Sequence, residues 1–244
     1  MTADAPPEPC GSAEERAEHD RLLRLDETYS SSPYYQKIWL TESPASRLMA
    51  ERKWAMIASV LREEGLDVRS AWILDLGVGS GRDSAGFKGL DVRPDRFVGL
   101  DFLELRARKA HQVNPWMRTI VGDAGNLPFP DNRFDLVYQS TMLSSVLQAG
   151  RRARILREIG RVLVPGGLLL SYDTRYRNPW NPHTRPLRAA EFRHGFPGWH
   201  IKAWSTTAIP QLQRALAPIS PWACRLLEGV PFLRSHLLVA VRKA

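Results

Sequence analysis

Short apolar runs and helical spacings take turns along most of this chain. Residues 71–76 and 96–101 are apolar runs that each end at or beside an acid, Asp75 and Asp101; further runs fall at 116–121, Phe134–Tyr138 and Leu168–Tyr172. Continuous apolar runs of this length predict strands buried on both faces. Between them, apolar residues recur at helical spacing over 103–112 (Leu103, Leu105, Ala107, Ala110) and 150–163 (Ile155, Leu156, Ile159, Val162, Leu163), and another helix is expected from Gly81. Upstream, residues 12–27 predict a helix with Ser12 as its cap, and Ser43-Pro44 opens a longer one to about Glu64, with Leu48, Met49, Trp54, Ile57, Ala58 and Leu61 on one stripe. Downstream, Trp199–Trp204 alternates like a strand, 210–228 reads as one helical stretch, and His236–Val241 is a last strand. The alternation predicts an α/β fold: a doubly wound, mostly parallel seven-stranded sheet with an antiparallel last strand, between two helical layers.

No repeat or linker marks a second domain. The expected layout is a tail over 1–11 and one domain over 12–244, with an N-terminal helical lid (12–64) and insertions at 174–198 and 210–234. The aromatic segment Tyr29–Trp39 is the part of the lid expected to cover a ligand. With 43% hydrophobic residues in 244, a full core is available. The start is polar and Pro-rich, without the basic and apolar regions of a signal peptide, and no run is long enough to span a bilayer. Cys10 and Cys224 make neither a disulfide framework nor a metal knuckle, so a cytoplasmic protein is the expectation.

Charge changes the picture only in its distribution. Residues 1–150 carry 18 Lys and Arg against 22 Asp and Glu (−4); residues 151–244 carry 16 against 4 (+12). A basic half suits an anionic acceptor, a membrane surface or nucleic acid. The excess of Arg over Lys, 28 to 6, is equally a compositional bias.

The chemistry centres on Ile73-Leu74-Asp75-Leu76-Gly77-Val78-Gly79-Ser80-Gly81-Arg82-Asp83. A strand ends, the backbone turns sharply, and glycines keep side chains away from a ligand. Asp101, twenty residues past Gly81, is placed to hold ribose hydroxyls. A dinucleotide fingerprint would need glycine at the sixth position, which is Arg82 counted from Gly77 and Ser84 counted from Gly79.

Asp-x-Gly-x-Gly-x-Gly at a strand tip instead resembles motif I of the class I S-adenosylmethionine (SAM)-dependent methyltransferases, of the type 11 kind. Val121–Val137 and Arg157–Gly167 resemble that superfamily's third-strand and fifth-strand signatures, so the resemblance covers roughly residues 70–172. It implies a Rossmann-like α/β/α sandwich that binds SAM and releases S-adenosylhomocysteine. Carried onto this chain, it implies that Gly77, Gly79 and Gly81 admit the methionine and ribose. Asp75 then lies by the amino-acid end, Asp101 with Phe102 at the ribose, Asp123 and Ala124 at the adenine, and Gln139 at the sulfonium.

Methyl transfer from a sulfonium needs alignment, desolvation and, for a protonated nucleophile, a base. The stretch Tyr172–Pro186, with Gln139–Thr141 and Leu227–His236, resembles bacterial methyltransferases found with surface-polysaccharide and glycan biosynthesis enzymes, though Thr174 and Arg177 depart from that group's pattern. It points to a hydroxyl of a sugar, glycan or other small intermediate. The base candidates are His183, then Asp173, then His194. Asp173 has a competing role as a loop anchor through Arg175, and Arg175, Arg177 and Arg185 could clamp an anionic acceptor. No His, Cys or Asp cluster has metal-ligand spacing.

Two other functions compete. An RNA or DNA methyltransferase would use the basic half, but Tyr138-Gln139-Ser140-Thr141 lacks the signature of many base-amine enzymes and no RNA-binding module is visible. A SAM-binding partner protein without turnover is the other. The 209–227 stretch, with Arg214 and Arg225, could pack under the sheet, meet a second subunit as a homodimer, or rest on a membrane.

Overall fold

A computed structural model describes residues 13–32, 43–177 and 181–244. The chain divides into two compact units, Met1–Thr41 and Glu42–Ala244. The first holds one described helix, α1 (Ala13–Ser31). The expected cap Ser12, the tail, Cys10 and most of the aromatic segment lie outside the described residues.

The second unit opens with α2 (Pro44–Glu63), whose cap Ser43 accepts a hydrogen bond from the Ser46 amide, as its Ser-Pro start predicts. Seven strands follow: β1 (Ile73–Leu76), β2 (Phe97–Asp101), β3 (Arg118–Val121), β4 (Phe134–Ser140), β5 (Leu163–Thr174), β6 (His200–Ala208) and β7 (Arg234–Arg242). Helix α3 (Glu104–Val113) follows β2 and α4 (Ala149–Val162) follows β4. Helix α5 (Ala189–Gly195) follows β5; α6 (Pro210–Leu216) and α7 (Pro221–Glu228) lie between β6 and β7.

The sheet order is β3-β2-β1-β4-β5-β7-β6. Strands β1 to β5 pair in parallel, and β7 is antiparallel to both β5 and β6. The order reverses between β1 and β2 on one side and β4 on the other, which places a ligand crevice over the carboxyl ends of these strands.

Side chains alternate across the sheet as two-sided burial requires. Leu74, Leu76, Leu100, Val137 and Leu169 face α4 and α5, through Ile155, Ile159 and Phe192. Ile73, Phe97, Leu136 and Leu170 face α2, the segment after β1 and α3, through Ile57, Leu61, Phe87 and Ala110. The sandwich has three layers.

Two elements differ from the sequence expectation. After Gly81 the chain forms a short 3-10 segment, Ser84–Leu90, where Trp54 of α2 packs so close that a Cβ on Gly86 would lie 1.9 Å from its ring, which meets Phe87 edge-on at 4.8 Å. The single helix expected over 210–228 is two, since Pro218 and Pro221 deny it amide donors and clash with the preceding turn.

Candidate active site

The carboxyl edge is built around the turn after β1. Gly77, Gly79 and Gly81 all have left-handed φ, at 75°, 55° and 75°. Their surroundings separate them. A Cβ on Gly77 would lie 2.3 Å from Met142 Cγ, and one on Gly81 would lie 2.7 Å from Asn114 Nδ2 and 2.8 Å from Ala110 Cα. A Cβ on Gly79 would meet nothing nearer than the Gly77 carbonyl at 4.0 Å, so its α-carbon faces open space. Two glycines are required by packing, and the middle one leaves a cradle.

Asp101, at the tip of β2 and buried, borders that cradle. Its Oδ2 accepts the Gly79 amide at 2.8 Å and its Oδ1 the Leu103 amide at 3.0 Å. The bonds fix the carboxylate against the turn. Further along the edge, Asp123 Oδ1 accepts from Gly125 N and from the buried Arg151 guanidinium, both at 2.9 Å. That guanidinium also stacks 5.1 Å from the centre of the Phe102 ring, and Ala124, next to Asp123 in sequence, packs partly buried against the core. The edge therefore offers a carboxylate, an aromatic face and a second carboxylate in line with an open backbone turn. That donor set and cradle fit SAM: Asp101 with Phe102 would border the ribose, Asp123 and Ala124 the adenine, and Asp75 the amino-acid end.

Asp75 lies at the end of β1, buried, with Oδ2 accepting the Ser84 hydroxyl at 2.5 Å. Loss of water, then the negative charge of Asp83, pushes its carboxyl up to about 7. Gln139 turns away from the edge: its amide nitrogen bonds Ser171 Oγ, and its oxygen accepts from Met142 N and Leu143 N. It supports the turn after β4 from below.

The base candidates are dispersed. Asp173 is buried at the end of β5, accepting the Ser144 amide at 3.0 Å and the Thr174 amide at 2.7 Å, with Gln139 at 3.4 Å. It joins the β4 and β5 loops; Arg175 reaches instead to the Pro231 carbonyl. Burial raises its carboxyl above the ordinary carboxylate value. His183 sits half-buried on a loop held at the edge by Arg185 N to Ser144 O and Leu187 N to Thr174 O. His194 is exposed in the last turn of α5, on the helical layer behind the sheet.

A cluster that sequence reading missed joins the cofactor turn to the acceptor side. Lys53, on the buried face of α2, donates to both oxygens of Asp83 at 2.6 Å and to Ser140 Oγ at 2.8 Å. Tyr138 OH donates to Asp83 Oδ2 at 2.6 Å. The ammonium lies 4.2 Å from the centre of the Tyr172 ring, which stacks with His236 at 4.9 Å and bonds Thr207 through its hydroxyl. Burial, then the charge of Lys53, pushes the His236 imidazole down to about 3 and keeps it neutral. Lys53 does fall at helical spacing from Ile57 and Leu61, but no local signal pairs it with an acid 30 residues on. Among the described residues no group of His, Cys, Asp and Glu could hold a metal ion.

Strand order and this edge define a nucleotide-cofactor protein of the doubly wound class. Residues 74–171 match the family model described as a methyltransferase domain. It is 28% identical over 191 residues to 24-methylenesterol C-methyltransferase 2 of Oryza sativa subsp. japonica, covering 69% of this chain and 50% of that one. It is 35% identical over 157 residues to demethylmenaquinone methyltransferase of Paenarthrobacter aurescens (strain TC1), covering 63% and 56%. The chain thus spans about half the length of the curated relatives it matches. A solved S-adenosylmethionine dependent methyltransferase from Mesorhizobium loti shares the fold, with a TM-score of 0.54, 19% identity, and 76% and 96% of the chains covered.

Proposed function

We propose that the chain transfers the methyl group of SAM to a hydroxyl of a small biosynthetic acceptor, a sugar or glycan carrying an anionic group. The observation that carries it is the open cradle at Gly79 bordered by Asp101, inside the residues that match the methyltransferase family. Bound there, SAM supplies an activated methyl on a sulfonium; the chain's residues bind it, orient the acceptor and exclude water. His183, on its pinned loop, is the base in this reading, and the exposed Arg177 and Arg185 meet the acceptor's anion. A cytoplasmic location belongs to the same proposal.

A second acceptor class has its own support. The relatives above are named for sterol and demethylmenaquinone methylation, and this chain exposes large apolar side chains on the segment between β6 and β7, whose ends lie at the same sheet edge as the site. An amphiphilic acceptor, with a polar group at the edge and an apolar tail outside it, accommodates both observations. Calorimetry with SAM and S-adenosylhomocysteine tests the cofactor. Transfer of labelled methyl to sugar nucleotides, lipid-linked glycans and quinol lipids tests the acceptor. Absence of SAM binding would overturn the proposal. Binding without transfer to any acceptor would favour a partner protein, and transfer to RNA a nucleic-acid enzyme.

A further inference from the structure

The connection between β6 and β7 starts and ends at the ligand edge. Strand β6 reaches that edge at Ala208 and the antiparallel β7 leaves it at Arg234, its register partner. Between these ends α6 packs against α2, and α7 and the turn Pro231–Leu233 pack against β6. Their apolar residues do not all turn inward. Ile219 is 80% exposed, Trp222 66%, Leu226 53% and Phe232 73%. Trp222 and Leu226 stand four apart on one side of α7, Ile219 lies on the turn just before that helix, and Phe232 lies on the turn that packs against α7. The opposite side of α7 buries Cys224 completely.

The surrounding charge is basic. Arg225 is exposed on α7, while Arg214 and Arg234 beside it are half-buried and Arg234 donates to the Glu228 carbonyl at 2.7 Å. The segment's acid, Glu228, is engaged by Arg52. A face carrying Trp, Leu and Ile with basic neighbours is complementary to an anionic bilayer surface, where the rings enter the headgroup layer and the guanidinium groups meet lipid phosphates. A second copy of this face would offer the same apolar area but bring like charges together. The patch is also tied to the acceptor loop, since Arg175 donates to the Pro231 carbonyl at 3.2 Å and its amide to the Ser235 carbonyl at 2.8 Å.

We infer that the face formed by Ile219, Trp222, Leu226 and Phe232, with Arg225, docks on an anionic lipid bilayer. Docking there opens the acceptor edge toward a substrate anchored in the membrane. Only that last step rests on the proposed function; docking itself does not require turnover.

Flotation of the full chain with phosphatidylcholine vesicles containing about 30% phosphatidylglycerol tests this at about 0.15 M salt. The chain is expected to float with these vesicles and to stay behind with phosphatidylcholine alone. Trp222→Ala with Phe232→Ala, and separately Arg225→Glu, should each reduce the bound fraction about fivefold or more. Trp222 fluorescence should shift to the blue on binding. SAM affinity of the same variants should match that of the parent chain, which shows that they fold and separates this test from that of the cofactor site. No flotation overturns the inference. So does flotation that the variants leave unchanged, or a dimer that the double variant dissociates while vesicle binding persists.

Discussion

At the scale of single residues, the three motif glycines have different reasons to be glycine, and substitution should separate them. Gly79→Ala pays only for its left-handed φ, roughly 1–2 kcal/mol, because its Cβ enters open space. A fall in Tm of about 2–4 °C per kcal/mol is expected, with SAM affinity reduced by more than tenfold as the methyl fills the cradle. Gly81→Ala adds a clash with Asn114 and the Ala110 backbone and should lower Tm further. Calorimetry and thermal melts on both variants check the split; equal loss of affinity at equal Tm would contradict it. Asp75 gives a second residue-scale expectation. Its carboxyl sits at about 7 when folded, against about 3.9 when unfolded. The folded form therefore holds the proton more tightly. The stability it contributes is full below about pH 4 and is lost as pH rises to about 7. Asp75→Asn should remove that decline, so the difference in stability between variant and parent grows in the variant's favour from pH 4 to pH 7, as read by urea denaturation.

At the scale of elements, α2 is more than a cover for the sheet. Lys53 carries a charge into the layer between α2 and β4, and Asp83 and Tyr138 hold it there. Removing one partner of a buried pair costs about 3–5 kcal/mol, but Asp83 keeps 34% side-chain exposure, so about 2 kcal/mol is expected for Lys53→Met. The double variant Lys53→Met with Asp83→Asn should recover part of it, since no lone charge remains. A double-mutant cycle in urea measures this, and additive losses would count against the coupling. The loop after β5 has a comparable anchor. Arg152, 2% exposed on α4, bonds Glu191, the Val146 carbonyl and the Arg185 carbonyl, and so ties the loop that carries His183 to the helix.

At the scale of the whole molecule, the uneven charge of the two halves is partly cancelled inside the fold. Arg151 pairs with Asp123, Arg161 with Asp131, and Lys202 and Arg242 both with Glu64 at the end of α2. The basic half is thus partly a set of internal partners for the acidic half. Glu64 carries the longest of these links, to a residue 178 positions away. The hydrogen bonds and charges of Lys202 and Arg242 outweigh burial and hold its carboxyl below the usual glutamate value. Its stabilisation is present above the unfolded pKa of about 4.3 and is lost as pH falls through the lower folded value. Glu64→Gln should cost about 1–2 kcal/mol at pH 7 and much less near pH 3, measured by chemical denaturation at both.

The strands, their order of burial, the glycine turn and the acids at the tips of β1 and β2 were legible in the sequence. Each depends on contacts within a few residues, where period, turn chemistry and the excluded bulk of a side chain act locally. The same is true of the Ser43 cap. Only the tertiary structure decided that Gly77 and Gly81 serve packing while Gly79 faces open space, and that Gln139 and Asp173 point into the loops' hydrogen bonds. The close approach of Trp54 that requires Gly86 to be glycine comes from some thirty residues upstream. The Lys53–Asp83–Tyr138 cluster and the exposed stripe of α7 likewise depend on which distant surfaces meet. Burial, and with it the cost of an unpaired charge or an uncovered ring, is set by neighbours that sequence spacing does not name.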